Sequence, residues 1–460
     1  MKKYSDKWTK STVRSALLTV VNPETAAVDV HPNEMWGAIR PDHPSGKTVR
    51  RFGAVTYDLR QLVKWFKDSG VTTVAMEATG VYWLPLYELL EDEGLRVCLV
   101  NARHVKNVPG RPKTDVRDCQ WLQKLHASGL LTASFIPDAS IRQLRGLLRH
   151  RDRLTRLRSQ HILRMQKALR EMNVHLDAVV TDIMGVTGVR ILKALMQGRR
   201  DFDVIAQECR HPLIKATPEE IAAAIDGTYT PEALFVLEQQ LEAYDFTGAQ
   251  VAKLDVQLEK LLQLATAERP ALALPDQGLT GREKRQGDAP AFNVQQYLYQ
   301  ITGVDLTRIP GIAANASLVL LSETGTDMSR WRSSDAFCSW LGLCPNLQKS
   351  AGKIHGSRPR RTCSHAKHTL RLCASSLKNH HGHLGAFFRR IRARSGSPAA
   401  ITATAHKLAR IIFAMLSGKK AYSELGEDYY DKRYRERILR NMKRKAQLYG
   451  FQLVPLEQVS

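Results

Sequence analysis

The chain has 460 residues, enough for about three domains on the usual soft prior, and carries 68 Lys+Arg against 45 Asp+Glu, a formal charge of +23. With 43% hydrophobic and 25% charged residues it can bury a substantial core, which excludes a wholly disordered chain and a small secreted scaffold alike. No apolar run approaches the roughly 20 residues needed to span a bilayer, and the first residues show no clear secretory leader, so the expectation is a bacterial cytoplasm or nucleoid with no membrane partner. The seven cysteines form no CxxC pair, against a disulfide framework or a zinc ribbon.

From about Ala26 to Ser134, strand and helix alternate: AAVDV, MWGAI and TVRRFGAV, a helix from Tyr57, TTVAMEA, a helix from Trp83, RVCLVNA, and a helix from Asp115. Arg96 apart, Leu95 to Val100 is apolar on both alternations, as in a strand covered on both faces. The expectation is an α/β layer with a mixed sheet and a parallel centre.

From Ile141 to Leu176 the apolar spacing turns helical, with Leu144, Leu148, Met165, Leu169 and Met172 among many Arg. A second long helix opens on Thr230 as N-cap with Pro231 first, and carries Leu234, Leu237, Leu241, Tyr244, Gly248, Val251, Asp255, Leu258 and Leu262 at near-heptad spacing. This reads as a coiled-coil arm, either joining two subunits or folding back as a hairpin, with its seam interrupted at Gly248 and Asp255. Residues 265–293, rich in Pro, Gly and charge, read as a linker. The rest is expected to be mainly helical. IPGI at 309–312 offers either a phosphate-binding hairpin turn or an ordinary Pro-Gly turn. The domains expected are therefore 1–140, 141–296 and 297–460.

Charge is concentrated late. Residues 351–420 hold 15 Lys/Arg and no acid, and the tail adds Lys432, Arg433, Arg435, Arg437, Arg440, Lys443, Arg444 and Lys445. Single-sign blocks repel themselves, and the physical use of such a field is neutralising phosphates with release of counterions, so nucleic acid is the expected partner. Within this block Lys353, Arg358, Arg360, Arg361, Lys367 and Arg371 are candidate contacts.

Four acids carry the chemistry. Asp29 and Glu77 each interrupt the apolar end of a strand, where an unpartnered charge is expensive. Asp115, Asp118, Leu122 and Leu125 follow i, i+3, i+7, i+10, so both acids share the helical stripe that faces the sheet. Converging carboxylates raise one another's pKa values unless a cation sits among them, and hard oxygen ligands select Mg²⁺ or Mn²⁺. One or two such ions can stabilise a phosphodiester during displacement. The neighbouring loop NARHVKNVPGRPK adds Arg103, Lys106, Arg111 and Lys113 as phosphate contacts.

The segments DVH, MEATGVYW and NARHVKNVPGRPKTDVRD resemble the N-terminal catalytic domain of DEDD-type insertion-sequence transposases, whose fold is similar to RuvC and ribonuclease H. LTRIPGI, WLGLCPNLQKSAGKIHGSRPRR, HTLRL, DYYDKRYRERILRN and GFQLVP resemble the C-terminal transposase domain of the same family, leaving residues 177–295 outside the likeness. Pro32 stands where a Lys is usual, and Ala313 replaces the second glycine of the hairpin turn. The resemblance implies a bridge-RNA-guided serine recombinase: a catalytic serine after the GLxP turn Gly342–Pro345, here Ser350, attacks phosphorus and stores the bond as phosphoserine. It further implies target and donor DNA, a structured noncoding guide RNA, and a dimer assembling to a tetramer in which one subunit's serine completes another's acidic site. Two other readings stay open: a metal-dependent junction nuclease in which Ser350 is structural, and a non-catalytic nucleic-acid-binding protein on a degenerate nuclease fold.

Overall fold

The computed structural model describes residues 19–44, 46–101, 115–270, 272–274, 289–346, 348–350, 353–356, 359, 364–423 and 427–454. The chain divides after Ile136 into two compact units.

The first unit is built on a five-stranded sheet. β1 (Thr25–Val30), β2 (Glu34–Ile39) and β3 (Val49–Gly53) form an antiparallel meander, and β4 (Thr73–Glu77) and β5 (Arg96–Val100) continue in parallel on the far side of β1. The order β3-β2-β1-β4-β5 is the mixed sheet with a parallel centre that the apolar patterns predict. Strand alternation sorts the side chains by face. Ala26, Val28, Val30, Val74, Met76 and Leu99 pack with Leu59, Leu62 and Phe66 of α1 (Thr56–Asp68) and Leu86 and Leu90 of α2 (Leu84–Asp92). Each fully buried side chain of this size contributes about 1.5–3 kcal/mol. On the opposite face Ala27, Ala75 and Val100 receive Leu122 and Leu125 of α3 (Asp115–Ala127). Two alanines at the centre leave room for that helix to lie close.

Polar contacts fix where α3 sits along the strands. Gln123 Nε2 donates to Thr25 Oγ1 at 2.9 Å, and His126 Nε2 is 3.1 Å from Thr73 Oγ1, both buried. Burial, aided by Arg96, pushes the His126 imidazole down to about 4, so it is neutral at physiological pH.

The second unit begins with α4 (Ala139–Glu171), which pairs with the 36-residue α9 (Pro231–Thr266); Thr230 caps the latter by accepting from the Ala233 N–H. The pairs Arg151–Asp255, Arg158–Tyr244 and His161–Gln240 step in opposite directions along the two helices, so they run antiparallel. The two long helices thus pair within one chain as a hairpin, the second of the two arrangements that their heptads allow. Both interruptions of the heptads belong to this pairing. Asp255, with its side chain 7% exposed, receives Arg151 Nε at 2.6 Å, and Gly248 faces the Arg158 guanidinium that lies over the Tyr244 ring.

Residues 176–225 add α5 (Leu176–Val179), α6 (Val186–Met196), α7 (Phe202–Cys209) and α8 (Pro218–Ile225). They close over one end of the hairpin in a shared core with Met165, Leu169, Ala233 and Leu237. A complete capping box, Thr217 with Glu220, starts α8. The expected linker lies mostly outside the described residues.

The remainder comprises α10 (Val294–Thr302), α11 (Ala314–Thr324), α12 (Ser334–Trp340), a hairpin of β6 (Gln348–Ser350) and β7 (Lys353–Gly356), α13 (His365–Ser376), α14 (His383–Ser395), α15 (Ser397–Gly418) and α16 (Glu427–Leu448). By length and composition α15 is apolar enough to cross a membrane. Here Ala400, Ala405, Leu408, Ile412, Met415 and Leu416 are buried, with α12, α13 and α14 packed around it. Arg149 forks both oxygens of buried Glu323 at 2.8 and 2.9 Å, and Arg145 donates to the Ser322 and Glu323 carbonyls, tying the end of α11 to α4. The IPGI segment is a packed turn: Gly311 has φ +82°, and a Cβ there would stand 2.8 Å from the Cys373 carbonyl. Trp331 and Phe388 are buried and Phe387 lies under Lys407, so these aromatics serve the core and cation–π contacts.

Candidate active site

Parallel pairing sets the first two acids. Thr25 pairs with Thr73 and Ala27 with Ala75, so the next position on the α3 face brings Asp29 and Glu77 to the same end of the sheet, at the carboxyl ends of adjacent strands. Open α/β sheets place their ligands at such ends. Both acids are half-buried.

The first turn of α3 supplies the other two, held over that edge because Leu122 and Leu125, one and two turns on, are buried against the sheet. Asp118 is half-buried, and Asp115 is exposed. The carboxylates act on one another: burial pushes the Asp29 carboxyl above its ordinary value, the His31 charge and hydrogen bond pull it down, and Asp118 and Asp115 push it up again. Burial and the Asp29 charge raise the neighbouring Cys119 thiol to about 12, so it is no nucleophile.

A residue not picked from the sequence joins them. His31 Nε2 lies 3.2 Å from Asp29 Oδ2 and 3.7 Å from Asp115 Oδ1, and one donor atom of each of the three falls within 4.8 Å of the others. The legible signal was alternation: two residues past Asp29, His31 returns to the α3 face, and Pro32 biases it to extended backbone. Two ligands at right angles around an ion with bonds of about 2.1 Å stand about 3 Å apart, so these donors fit a small divalent cation.

Ser350 is in the second unit. It ends β6, is exposed, and pairs in register with Lys353, the first residue of β7. Residues directly opposite in an antiparallel ladder project to one side, so Ser350 and Lys353 leave the hairpin on the same face. The GLxP turn upstream is anchored by buried Leu341 and Leu343, with Gly342 at φ +70°. Lys367 and Arg371 lie one turn apart on α13, both half-buried, and burial and then the Arg371 charge hold the Lys367 ammonium below its usual range. Along α16, Lys432, Arg435, Arg437, Arg440, Lys443, Arg444 and Lys445 are exposed. Arg103, Lys106, Arg111, Lys113, Arg358, Arg360 and Arg361 lie outside the described residues.

Comparison with known proteins agrees with this layout. A DEDD-type transposase family model of the IS110 group matches residues 26–174, and one described as "Transposase IS116/IS110/IS902 family" matches residues 305–389. A curated relative, "Putative transposase y4pF/y4sB" of Sinorhizobium fredii, is 25% identical over 377 residues, covering 79% of this chain and 78% of that protein. The two matched domains occur in one order in one chain and together take in about half of it. The protein belongs to the IS110-family transposases, enzymes acting on DNA.

Proposed function

We propose that the chain cuts and rejoins DNA strands through a phosphoserine intermediate at Ser350, on a phosphodiester held by Asp29, Glu77, Asp115 and Asp118 with Mg²⁺ or Mn²⁺. The observation that carries this reading is the convergence of strand-end Asp29 with Asp115 and Asp118 of α3, in a chain that also matches the family's C-terminal transposase domain. Bound at these carboxylates, a divalent ion supplies charge stabilisation to the non-bridging oxygens of the scissile phosphate.

The protein's own groups do the rest. A serine hydroxyl is a weak nucleophile at neutral pH, and the cross-strand Lys353 provides positive charge where its oxygen develops negative charge. Ser350 Oγ forms a bond to phosphorus, the phosphorus–oxygen bond to the departing strand breaks, and the serine proton leaves with that strand's hydroxyl. The ester bond is conserved, so a second strand's hydroxyl can reverse the step without ATP. Arg103, Lys106, Arg111, Lys113, Lys353, Arg358, Arg360, Arg361, Lys367 and Arg371 hold backbone phosphates of target and donor DNA and of a structured guide RNA, with base pairing providing sequence choice. Exchange between two duplexes cuts four strands, each needing a serine, so subunits assemble as a dimer of dimers.

A nicked suicide substrate with Mg²⁺ tests the reading. It yields a covalent protein–DNA adduct with the native chain and none with Ser350→Ala; Asp29→Asn and Asp118→Asn lose the adduct while still binding DNA. Free 5′-phosphate ends with no adduct would identify a water-using nuclease instead.

A further inference from the structure

The acids fit any hard divalent ion, but the donor beside them is not an oxygen. We infer that His31 is a nitrogen ligand of the ion held by Asp29 and Asp115, and that this donor tilts the site toward Mn²⁺ over Mg²⁺. The inference deepens the metal-dependent reading above and rests on it.

Three observations carry it. The spacings from His31 Nε2, 3.2 Å to Asp29 Oδ2 and 3.7 Å to Asp115 Oδ1, fall between the about 3 Å of adjacent and the about 4.2 Å of opposite ligands around one ion with bonds of about 2.1 Å. The backbone also aims the ring: the His31 N–H donates to the Glu34 carbonyl at 3.1 Å, closing the tight β1–β2 connection, while Pro32 restricts His31 to extended conformations. Asp29 and His31 therefore leave the chain on one face by alternation, as two ligands of one ion must. Finally the side chain is 37% exposed, so the ring can turn the small distance that ligation asks without disturbing the core.

The chemical consequence follows from donor type. Mg²⁺ takes oxygen almost exclusively and keeps its waters, whereas imidazole suits transition metals, and a mixed nitrogen–oxygen site ranks divalent ions in the Irving–Williams order. With His31 removed, water replaces the ring: Mg²⁺ loses little, and Mn²⁺ loses its advantage.

Pulsed EPR of the full-length protein loaded with Mn²⁺ reads the ligand directly, without reference to turnover. The native chain shows nitrogen modulation from a coordinated imidazole, changed to the ¹⁵N pattern by labelled histidine and absent in both His31→Ala and His31→Gln. Calorimetry on the same proteins gives a Mn²⁺ affinity at least about tenfold weaker in the variants, the lower end of what even an outer-shell partner costs, with Mg²⁺ affinity changed by less than about threefold. Tightly bound Mn²⁺ without nitrogen modulation, or modulation that persists in both variants, overturns the role of His31 and leaves the acidic site standing. No bound Mn²⁺ in the native chain overturns the acidic site itself, and the inference with it.

Discussion

Replacing Asp255 by Ala isolates the contact that distinguishes a hairpin within one chain from a generic apolar seam. The side chains of Arg151 and Asp255 are 6% and 7% exposed, joined by Nε–Oδ1 at 2.6 Å and Nη2–Oδ2 at 3.3 Å, and Asp255 Oδ2 also accepts the Ala291 N–H at 3.2 Å. The variant strands a buried guanidinium and removes the acceptor of the Ala291 N–H, and breaking one partner of a buried ion pair costs about 3–5 kcal/mol. At 1.4 kcal/mol per decade this corresponds to amide exchange faster by about a hundredfold to a few thousandfold, given opening limited by local stability. Hydrogen exchange with mass spectrometry is the right assay because it resolves peptides of α4 and α9 inside a chain of two units, where one global unfolding midpoint has no clear meaning. Joint Arg151→Leu and Asp255→Leu removes both charges and recovers most of the loss, since an apolar pair of similar volume fits the heptads. A single-variant change below tenfold, or no recovery in the pair, would refute the assignment of this contact as the anchor of the hairpin.

The first unit carries its own pH dependence. Free imidazole titrates near 6.5 and folded His126 near 4, so the unfolded chain takes up the proton first, and stability falls as pH drops from about 6.5 toward 4 by about 3 kcal/mol. His126→Gln flattens this stretch of the acid-unfolding curve; an unchanged slope contradicts it. Gly311→Ala forces a left-handed φ on a residue with a Cβ and presses it into the Cys373 carbonyl, costing about 1–3 kcal/mol or more in thermal or urea unfolding of the second unit. Lys367→Ala and Arg371→Ala each lower the slope of log affinity against log salt by about one, equally for all DNA sequences, if each neutralises a phosphate. The guide reading expects a discrete structured RNA to co-purify with the native chain; a preparation free of nucleic acid that still chooses its target would oppose it.

Where one physical signal dominates, the sequence is readable. Short apolar runs mark β1 to β5, the last of them apolar on both alternations, and the helical stripe Asp115–Asp118–Leu122–Leu125 announces that α3 presents its acids to the sheet edge while its leucines seat against Ala27 and Ala75. The long helices are equally plain, but their pairing is not: near-heptad leucines suit a partner helix from the same chain or another, and the decision rests on Asp255 meeting Arg151, 104 residues away. The β6–β7 hairpin escapes because QKS and KIHG are too short and polar to show a period, and the cross-strand pairing of Ser350 with Lys353 is visible only in three dimensions. His31 was available from alternation and from Pro32, yet a histidine after a strand has many uses until two carboxylates are seen around it.

If the proposed chemistry holds, the acidic pocket of one subunit and a Ser350 from the same or a neighbouring subunit act on the same phosphorus. Mass spectrometry of the protease-digested adduct from a suicide substrate measures this directly. The account predicts a nucleotide ester on the peptide containing Ser350, lost when Asp29 is replaced by Asn; a nucleotide on another residue, or a Ser350 adduct that forms undiminished without Asp29, would contradict it.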